Sequence, residues 1–408
     1  MTAREYPVFT VTPKAERSLR AGHPWVYGEE VTAVEGAYQN GDMVDVVSNK
    51  GRYLGTGWVN DHSKIRVRII SRNANDTFDE AFFRRRVCYA LNYRKTVMGP
   101  VDYRCCRLIF GEADQFPGLT VDRFENILVT QVLSLGMERR KDWVYRALVE
   151  LLREDGEQID AIYERNDVTI RTLEGLEQGK GFYQMEGLRT DLSGHVTITE
   201  NGIKYDVDYI EGQKTGFFLD QKYNRQAAAK LARGRRALDC FTHTGAFALN
   251  AAAAGAEHVT AVDVSAFALE LAAENGKRNG LTNLDYKCAD VFDLLTEMAK
   301  EKKCDYDYII LDPPAFTKSR ATAKNAYHGY KEINRKAMRL LPRGGYLATC
   351  SCSHFMTDEM FRKMLREAAL DAGVTLRQIE ARQQAPDHPI LPEVPETDYL
   401  KFYLLQVV

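Results

Sequence analysis

At 408 residues the chain is longer than one ordinary hydrophobic core organises, so two or three domains are expected. Hydrophobic residues make up 45% and charged residues 27%, a globular profile, and no apolar run reaches the ~20 residues of a membrane helix. The opening MTAREYPVFT lacks the apolar stretch of a secretory signal, which makes the cytoplasm the expected location. The cysteines (Cys88, Cys105, Cys106, Cys240, Cys288, Cys304, Cys350 and Cys352) show no CxxC pairing and no nearby His cluster. No metal site is therefore expected, and they read as reduced thiols.

Residues 1–75 alternate in short runs broken by Gly and Asn (VYGEEVTAVEG, GDMVDVVSNKGRYLGTGWV, KIRVRIIS), the pattern of a small β-barrel. From Asp79 to Val97 the period turns helical, with Phe82, Phe83, Val87, Ala90, Leu91 and Arg94 roughly on one side. Strand-like CCRLIF, LTVDRF and NILVTQVLSL follow, then a helix near 141–153 and the strands AIYERN and VTIRTL, together an α+β middle region. VTITENGIKYDVDYI alternates around Asn201-Gly202, a strong hairpin signal. The expected domains are 1–78, 79–192 and 193–408.

Net charge is −2 and selects no partner, but its distribution is uneven. Nine basic residues from Lys64 to Lys95 (Lys64, Arg66, Arg68, Arg72, Arg84, Arg85, Arg86, Arg94, Lys95) meet only Asp76, Asp79 and Glu80, a net of +6. Such a stripe can bind phosphates, and Arg84, Arg85 and Arg86 are its candidate nucleic-acid contacts. A solvated helix face is the equal alternative.

From about Leu231 strand and helix alternate: ALDCF, GAFALNAAAAG, HVTAVDVS, AFALELAAENGKRNG, LDYKCAD, DLLTEMAKEK, YDYIILDPP, then NRKAMRLLPRGG and YLATCSCS. This is a doubly wound α/β domain with a mostly parallel sheet, whose ligand sits over the carboxyl ends of the strands. The first strand, carrying Asp239, runs out through Phe241, Thr244 and Gly245; the second ends at Asp263 and Ser265, the third at Asp290, the fourth at Asp312-Pro313-Pro314. No GxGxxG spacing is present, so a dinucleotide cradle is unsupported. Acids on successive strand tips without a phosphate loop suit a nucleoside lacking phosphates, and S-adenosylmethionine (SAM), cationic at sulfur, is such a ligand. Each acid taken singly reads more readily as a helix N-cap or loop residue.

These motifs look like class I SAM-dependent methyltransferases, and nearly the whole chain resembles the RlmI-type large-subunit rRNA cytosine-C5 methyltransferases. RSLRAGHPWVYGEEV resembles the opening of that family's PUA RNA-binding domain, and EADQFPGLTVDRFENILVTQ its middle domain. EGQKTGFFLDQKYNR and ALDCFTHTGAFALNAAAAGA resemble its cofactor entry and first motif. LDPPAFTKS, TCSCSHFM and DHPILPEVPETDYLKFYLLQV match as well. The resemblance implies a PUA β-barrel, an α+β domain and a Rossmann-like catalytic domain. It further implies SAM as cofactor, methyl transfer to C5 of a cytosine, and 23S rRNA or a large-subunit precursor as partner. A homodimer is the protein association considered.

Cytosine C5 is a poor nucleophile, so its methylation calls for a thiolate adding to C6 and an acid at N3. Cys352 matches the family's catalytic cysteine, and Asp312 is the expected acid. If LDPP and TCSCS end neighbouring strands, both share one rim. Pro313 and Pro314 would hold the loop against the base, while Cys350, two residues deeper, reads as a small buried hydrophobe. Tyr223, Asn224 and Arg225, which follow Asp220-Gln221-Lys222, are expected to line the methionine side of SAM, and Asp220 and Arg225 are candidate cofactor contacts. Three other readings remain: a dehydrogenase, which the missing glycine fingerprint disfavours; a non-catalytic RNA-binding assembly factor; and an amino-group methyltransferase. The last commonly stacks its base on an aromatic directly after the two prolines, where this chain has Ala315 and then Phe316.

Overall fold

The computed structural model describes residues 5–301, 304–317 and 319–408. Lys318 of LDPPAFTKS, the last residue of DLLTEMAKEK and the first four residues of the opening segment lie outside the described residues. The chain forms two compact units. The first comprises Met1–Ile198, Val207–Leu219 and Pro386–Thr397; the second comprises Thr199–Asp206, Asp220–Ala385 and Asp398–Val408.

Within the first unit, a six-stranded sheet runs in the order Trp25–Tyr27, Ile65–Ser71, Tyr53–Val59, Met43–Ser48, Val8–Val11, Val31–Glu35. Its inward residues, among them Phe9, Val11, Val26, Val44, Val46 and Val67, bury completely. The helix Glu80–Val97 starts where the period changes, because Asp79 accepts a hydrogen bond from Phe82 N (2.9 Å) and caps it. A second sheet orders Gly179–Phe182, Ala161–Asn166, Ile127–Val132, Leu119–Phe124 and Cys105–Phe110.

Two later segments join this unit, a departure from the linear division at 78 and 192. Arg165 donates to the Gly212 carbonyl (2.8 Å) and Thr215 to Asp122 (2.6 Å). Arg94 donates to the Asp387 carbonyl, and the Asp387 carboxylate accepts from Arg107 N, both at 2.8 Å. Composition read along a chain does not reveal a tail that folds back. The hairpin itself is as expected: His195–Glu200 pairs with Ile203–Asp208, and Asn201 and Gly202 both take positive φ (53° and 80°).

The second unit is built on seven strands in the order Leu284–Cys288, His258–Asp263, Arg236–Cys240, Tyr308–Leu311, Tyr346–Ser351, Lys401–Val407, Leu376–Arg382. The first five are parallel and the last two antiparallel. Period-2 alternation gives each central strand two buried faces: Leu238, Ile309 and Leu347 pack into one core layer, Ala237, Tyr308 and Ala348 into the other. The helix Ala246–Ala253 is buried nearly all round, which its run of alanines permits. Strand order reverses between Arg236–Cys240 and Tyr308–Leu311, so the ligand crevice opens at their carboxyl ends. Among the described residues no helix is long and apolar enough to cross a membrane.

Candidate active site

The loop after Arg236–Cys240 is bent by three left-handed residues: Phe241 (φ 63°), His243 (φ 51°) and Gly245 (φ 83°). For the two that carry a Cβ this costs roughly 1–3 kcal/mol each, so the surroundings must hold them. They do. Thr242 N donates to the Val262 carbonyl and His243 N to the Asp263 carboxylate, both at 2.9 Å. At Gly245 a Cβ would also come within 2.9 Å of the Ala272 Cβ, so glycine is required by space as well as by φ. Phe241 and Thr244, half-buried, complete this strand tip.

Asp239 is fully buried beneath the loop. Its Oδ2 accepts from the Thr242 hydroxyl (2.5 Å) and Ala248 N (2.9 Å), while its Oδ1 has no hydrogen-bond partner among the described residues. Burial pushes the carboxyl up to about 7; Asp312 and Asp263 add to the shift, and the Thr242 and Ala248 bonds oppose it. An orphaned carboxylate oxygen under a strand tip calls for a donor or a cation from a ligand. A cationic nucleoside fits this requirement.

Asp263 is partly buried, with Oδ1 accepting from Ser265 N and Oδ2 from His243 N, both at 2.9 Å. Two acceptor sites remain for ribose hydroxyls, but the carboxylate also shapes the loop, a second task that the sequence did not suggest. Ser265 is the N-cap of the helix Ala266–Arg278, accepting from Ala268 N (3.2 Å). Asp290 is exposed, and its Oδ1 accepts from Phe292 N (2.8 Å) and Asp293 N (3.1 Å) at the start of Val291–Glu301. For Asp290 the N-cap alternative is the geometry observed, with Oδ2 left over.

Asp220 is buried beside this rim: its carboxylate accepts from the Tyr399 hydroxyl (2.6 Å) and its carbonyl from Ala385 N (2.8 Å). Arg225 departs from its expected role. Its guanidinium is buried in an ion pair with buried Glu200 (2.5 Å), with the Phe247 ring 6.0 Å away, so it acts from inside the fold. What reaches forward instead is Gln221, whose amide donates to the Asp312 carboxylate (3.0 Å) while its oxygen accepts from Asn224 (2.7 Å).

Asp312 and Cys352 follow neighbouring parallel strands, in which Leu311 stands opposite Thr349. Burial and the Asp220 charge push the Asp312 carboxyl up to about 6, against the pull of Arg225, Gln221 and Cys350. Cys352 is half-buried at the rim with its Sγ 4.0 Å from the Pro313 carbonyl. Cys350 is fully buried one layer below, and burial, with Asp312 next, pushes its thiol well up. Pro313 is buried and Pro314 exposed, and the Ser353 hydroxyl ties the loop through the Thr317 carbonyl (3.0 Å). Phe316 turns away to pack on Tyr330 at 4.5 Å and Phe292 at 5.8 Å. Sequence reasoning missed Thr242, Gln221, Tyr399 and the buried Lys401, whose strand carries no catalytic motif. Among the described residues no group of three or more His, Cys, Asp or Glu could hold a metal ion.

In the first unit the basic stripe is largely neutralised, a correction to its count of +6. Arg84 is clasped by Glu150 (2.8 Å) and Glu154 (2.7 Å), acids on a different helix that a local tally omits. Arg86 is buried, donating to the Gln115 carbonyl (2.9 Å) with its guanidinium 4.4 Å from the Phe82 ring centre, so RNA contact through it is excluded in this state. Arg66, Arg68, Arg94 and Lys95 pair with Asp61, with Glu112 and Glu174, with Asp114, and with Asp155. Arg85, at 3.5 Å from Asp76 and about half exposed, is the most available of the three candidate contacts.

A family model described as "S-adenosylmethionine-dependent methyltransferase" matches residues 183–405, and one described as "PUA-like domain" matches residues 9–72. A protein of Pseudoalteromonas atlantica named ribosomal RNA large subunit methyltransferase I is 40% identical over 98% of this chain and 99% of its own length. A protein of the same name from Shewanella denitrificans is 42% identical over 97% of this chain and 98% of its own. A solved structure from Streptococcus mutans, titled as a SAM-dependent methyltransferase, shares the fold with TM-score 0.81 at 22% identity, covering 98% of this chain and 100% of that one. With one family model spanning 183–405 and full-length relatives at 40% identity and above, the chain belongs to the SAM-dependent methyltransferases, in the ribosomal RNA large subunit methyltransferase I family.

Proposed function

We propose that this enzyme methylates C5 of a cytosine in 23S rRNA, or in its large-subunit precursor, through a covalent bond between Cys352 and C6. One observation carries the reading: a half-buried cysteine and a carboxyl poised near neutrality follow adjacent parallel strands, with the thiol 4.0 Å from the Pro313 carbonyl. When bound, SAM supplies an electrophilic methyl group. Asp239 and Asp263 would hold SAM, with Phe241, Thr244, Gly245, Ser265, Asp290 and Asp220 lining the same site.

The residues then divide the work. The Cys352 thiolate adds to C6, and the electron pair of the C5–C6 bond shifts toward N3, where Asp312 delivers its proton. C5 becomes nucleophilic and takes the methyl group; it then gives up its proton to a water molecule as the S–C6 bond breaks, and N3 returns its proton to Asp312. A carboxyl pushed up to about 6 suits that exchange better than an ordinary aspartate, which would rarely carry a proton. Pro313 and Pro314 stiffen the loop that meets the flipped base. The packing of Phe316 on Tyr330 supports C5 over amino-group chemistry, since the aromatic nearest the two prolines is committed to the core.

The substrate class rests on the relatives' names together with the PUA-like match, and it is tested by nucleoside mass spectrometry of 23S rRNA incubated with the purified protein and SAM. One added 5-methylcytidine is expected; an N-methylated base instead would replace this chemistry.

A further inference from the structure

The covalent mechanism gives no task to Lys401, a buried cation in the strand next to the one that leads into Cys352. Lys401 opens the strand Lys401–Val407 and stands opposite Ser351, the residue before Cys352, in the antiparallel ladder. Its side chain is buried, and its ammonium donates to the main-chain oxygens of Ser353 (2.7 Å) and Tyr399 (2.8 Å). Among the described residues it forms no ion pair, so two of its three protons meet neutral carbonyls. A buried ammonium held only in this way is costly unless an anion stands near it part of the time. Burial pulls Lys401 down to about 8, and the groups whose negative charge opposes that fall are Asp398, Cys352 and Asp358.

The surroundings of the thiol point the same way. Of the titratable groups facing Cys352, the Tyr330 phenol and the Cys350 thiol are both pushed up by burial and stay neutral at pH 7. Among the described residues, Lys401 is a cation whose charge acts on Cys352. Because its ammonium grips the carbonyl of Ser353, the residue after Cys352, it also fixes the backbone that carries the thiol.

We propose that Lys401 is a positioning residue whose buried ammonium is the counter-charge of the Cys352 thiolate, keeping the nucleophile ionised before the base arrives. This rests on Cys352 being the nucleophile. A nearby cation lowers a thiol's pKa, and the pair then titrates as a unit.

The test is the pH dependence of iodoacetamide alkylation in the full-length protein, with Cys352→Ala subtracting the other cysteines. The wild-type Cys352 midpoint should lie below the ~8.5 of a free thiol. Lys401→Met should raise it by about one pH unit and slow alkylation at pH 7 about ten-fold, whereas Lys401→Arg should keep it low. An unchanged midpoint in Lys401→Met, or an equal rise in Lys401→Arg, overturns the proposal. If Lys401→Met does not fold, a wild-type midpoint at or above that of a free thiol overturns it as well. Covalent capture of Cys352→Ala on 5-fluorocytosine RNA would instead reject the nucleophile, an outcome that the alkylation midpoints do not affect and that is therefore told apart from a failure of the Lys401 pairing.

Discussion

On the helix Glu80–Val97, Arg84 is clasped by Glu150 and Glu154, Arg94 by Asp114 and Lys95 by Asp155. At the rim of the parallel sheet, Asp239 keeps a buried oxygen without a partner among the described residues, Asp312 is pushed up to about 6 and Lys401 down to about 8. The two regions looked alike in the sequence, one a cluster of bases and the other a series of acids. Pairing separates them. Where a fold needs charge only for stability it partners it, and where it needs chemistry it leaves charge unsatisfied at the cost of stability.

The sharpest break of this comparison is at the two cysteines. Cys352→Ala should lower methyl transfer by about a thousand-fold or more while leaving SAM binding near the wild-type level. Cys350→Ala should retain activity within a few-fold, with a modest stability loss from a small packing defect. Loss of activity on the Cys350 side alone, measured in single-turnover assays, would reverse the two roles.

Asp239 tests whether the rim carries strain that the helix lacks. Its folded pKa of about 7 lies above the 3.8 of an unperturbed aspartate, so the folded protein holds this proton more tightly than the unfolded chain does. The corresponding stability is present at low pH and is lost as pH rises through about 7. Asp239→Asn should therefore gain on the wild type by about 2–3 kcal/mol between pH 5 and pH 8, as read by denaturant unfolding. A stability difference that stays constant over that range would contradict the shift. In the same variant SAM should bind more weakly, most visibly above pH 7, where the wild-type carboxylate is ionised.

Next in size, Asp263→Ala should weaken SAM binding by ~1.5–3 kcal/mol in calorimetry. The loop through His243 and Ser265 should loosen as well, because both main-chain N–H groups lose their acceptor. Undiminished affinity in the folded variant would remove Asp263 from the cofactor site.

These positions also mark how much the sequence revealed. The strand–helix alternation after Leu231 and the acids at four strand tips were legible because period and turn residues are local properties. Asp312 and Cys352 could be assigned to one rim because parallel order follows from the alternation. Arg225 could not be read, since its partner Glu200 lies on a hairpin 25 residues earlier. Nor could Gln221 or Lys401, whose importance comes from what stands across the sheet. The stripe's count of +6 was misleading for the same reason: Glu150 and Glu154 are distant in sequence and adjacent in space.

The smallest effect is expected in the first unit. Arg85→Glu should weaken RNA binding slightly and reduce the slope of log affinity against log salt by about one, leaving SAM affinity intact. An unchanged slope would make the whole stripe a structural surface. Reversing Arg86 is a poor probe of RNA contact, because it would bury an unpaired carboxylate.

Covalent capture tests the role of Cys352 most directly. With 5-fluorocytosine at the target position the C5 substituent cannot leave as a proton, so the enzyme should remain bonded to its RNA. Denaturing electrophoresis with SAM present should show the adduct for the wild type and for Cys350→Ala, and none for Cys352→Ala. An adduct formed by Cys352→Ala, or no adduct from an active wild type, would contradict the covalent mechanism.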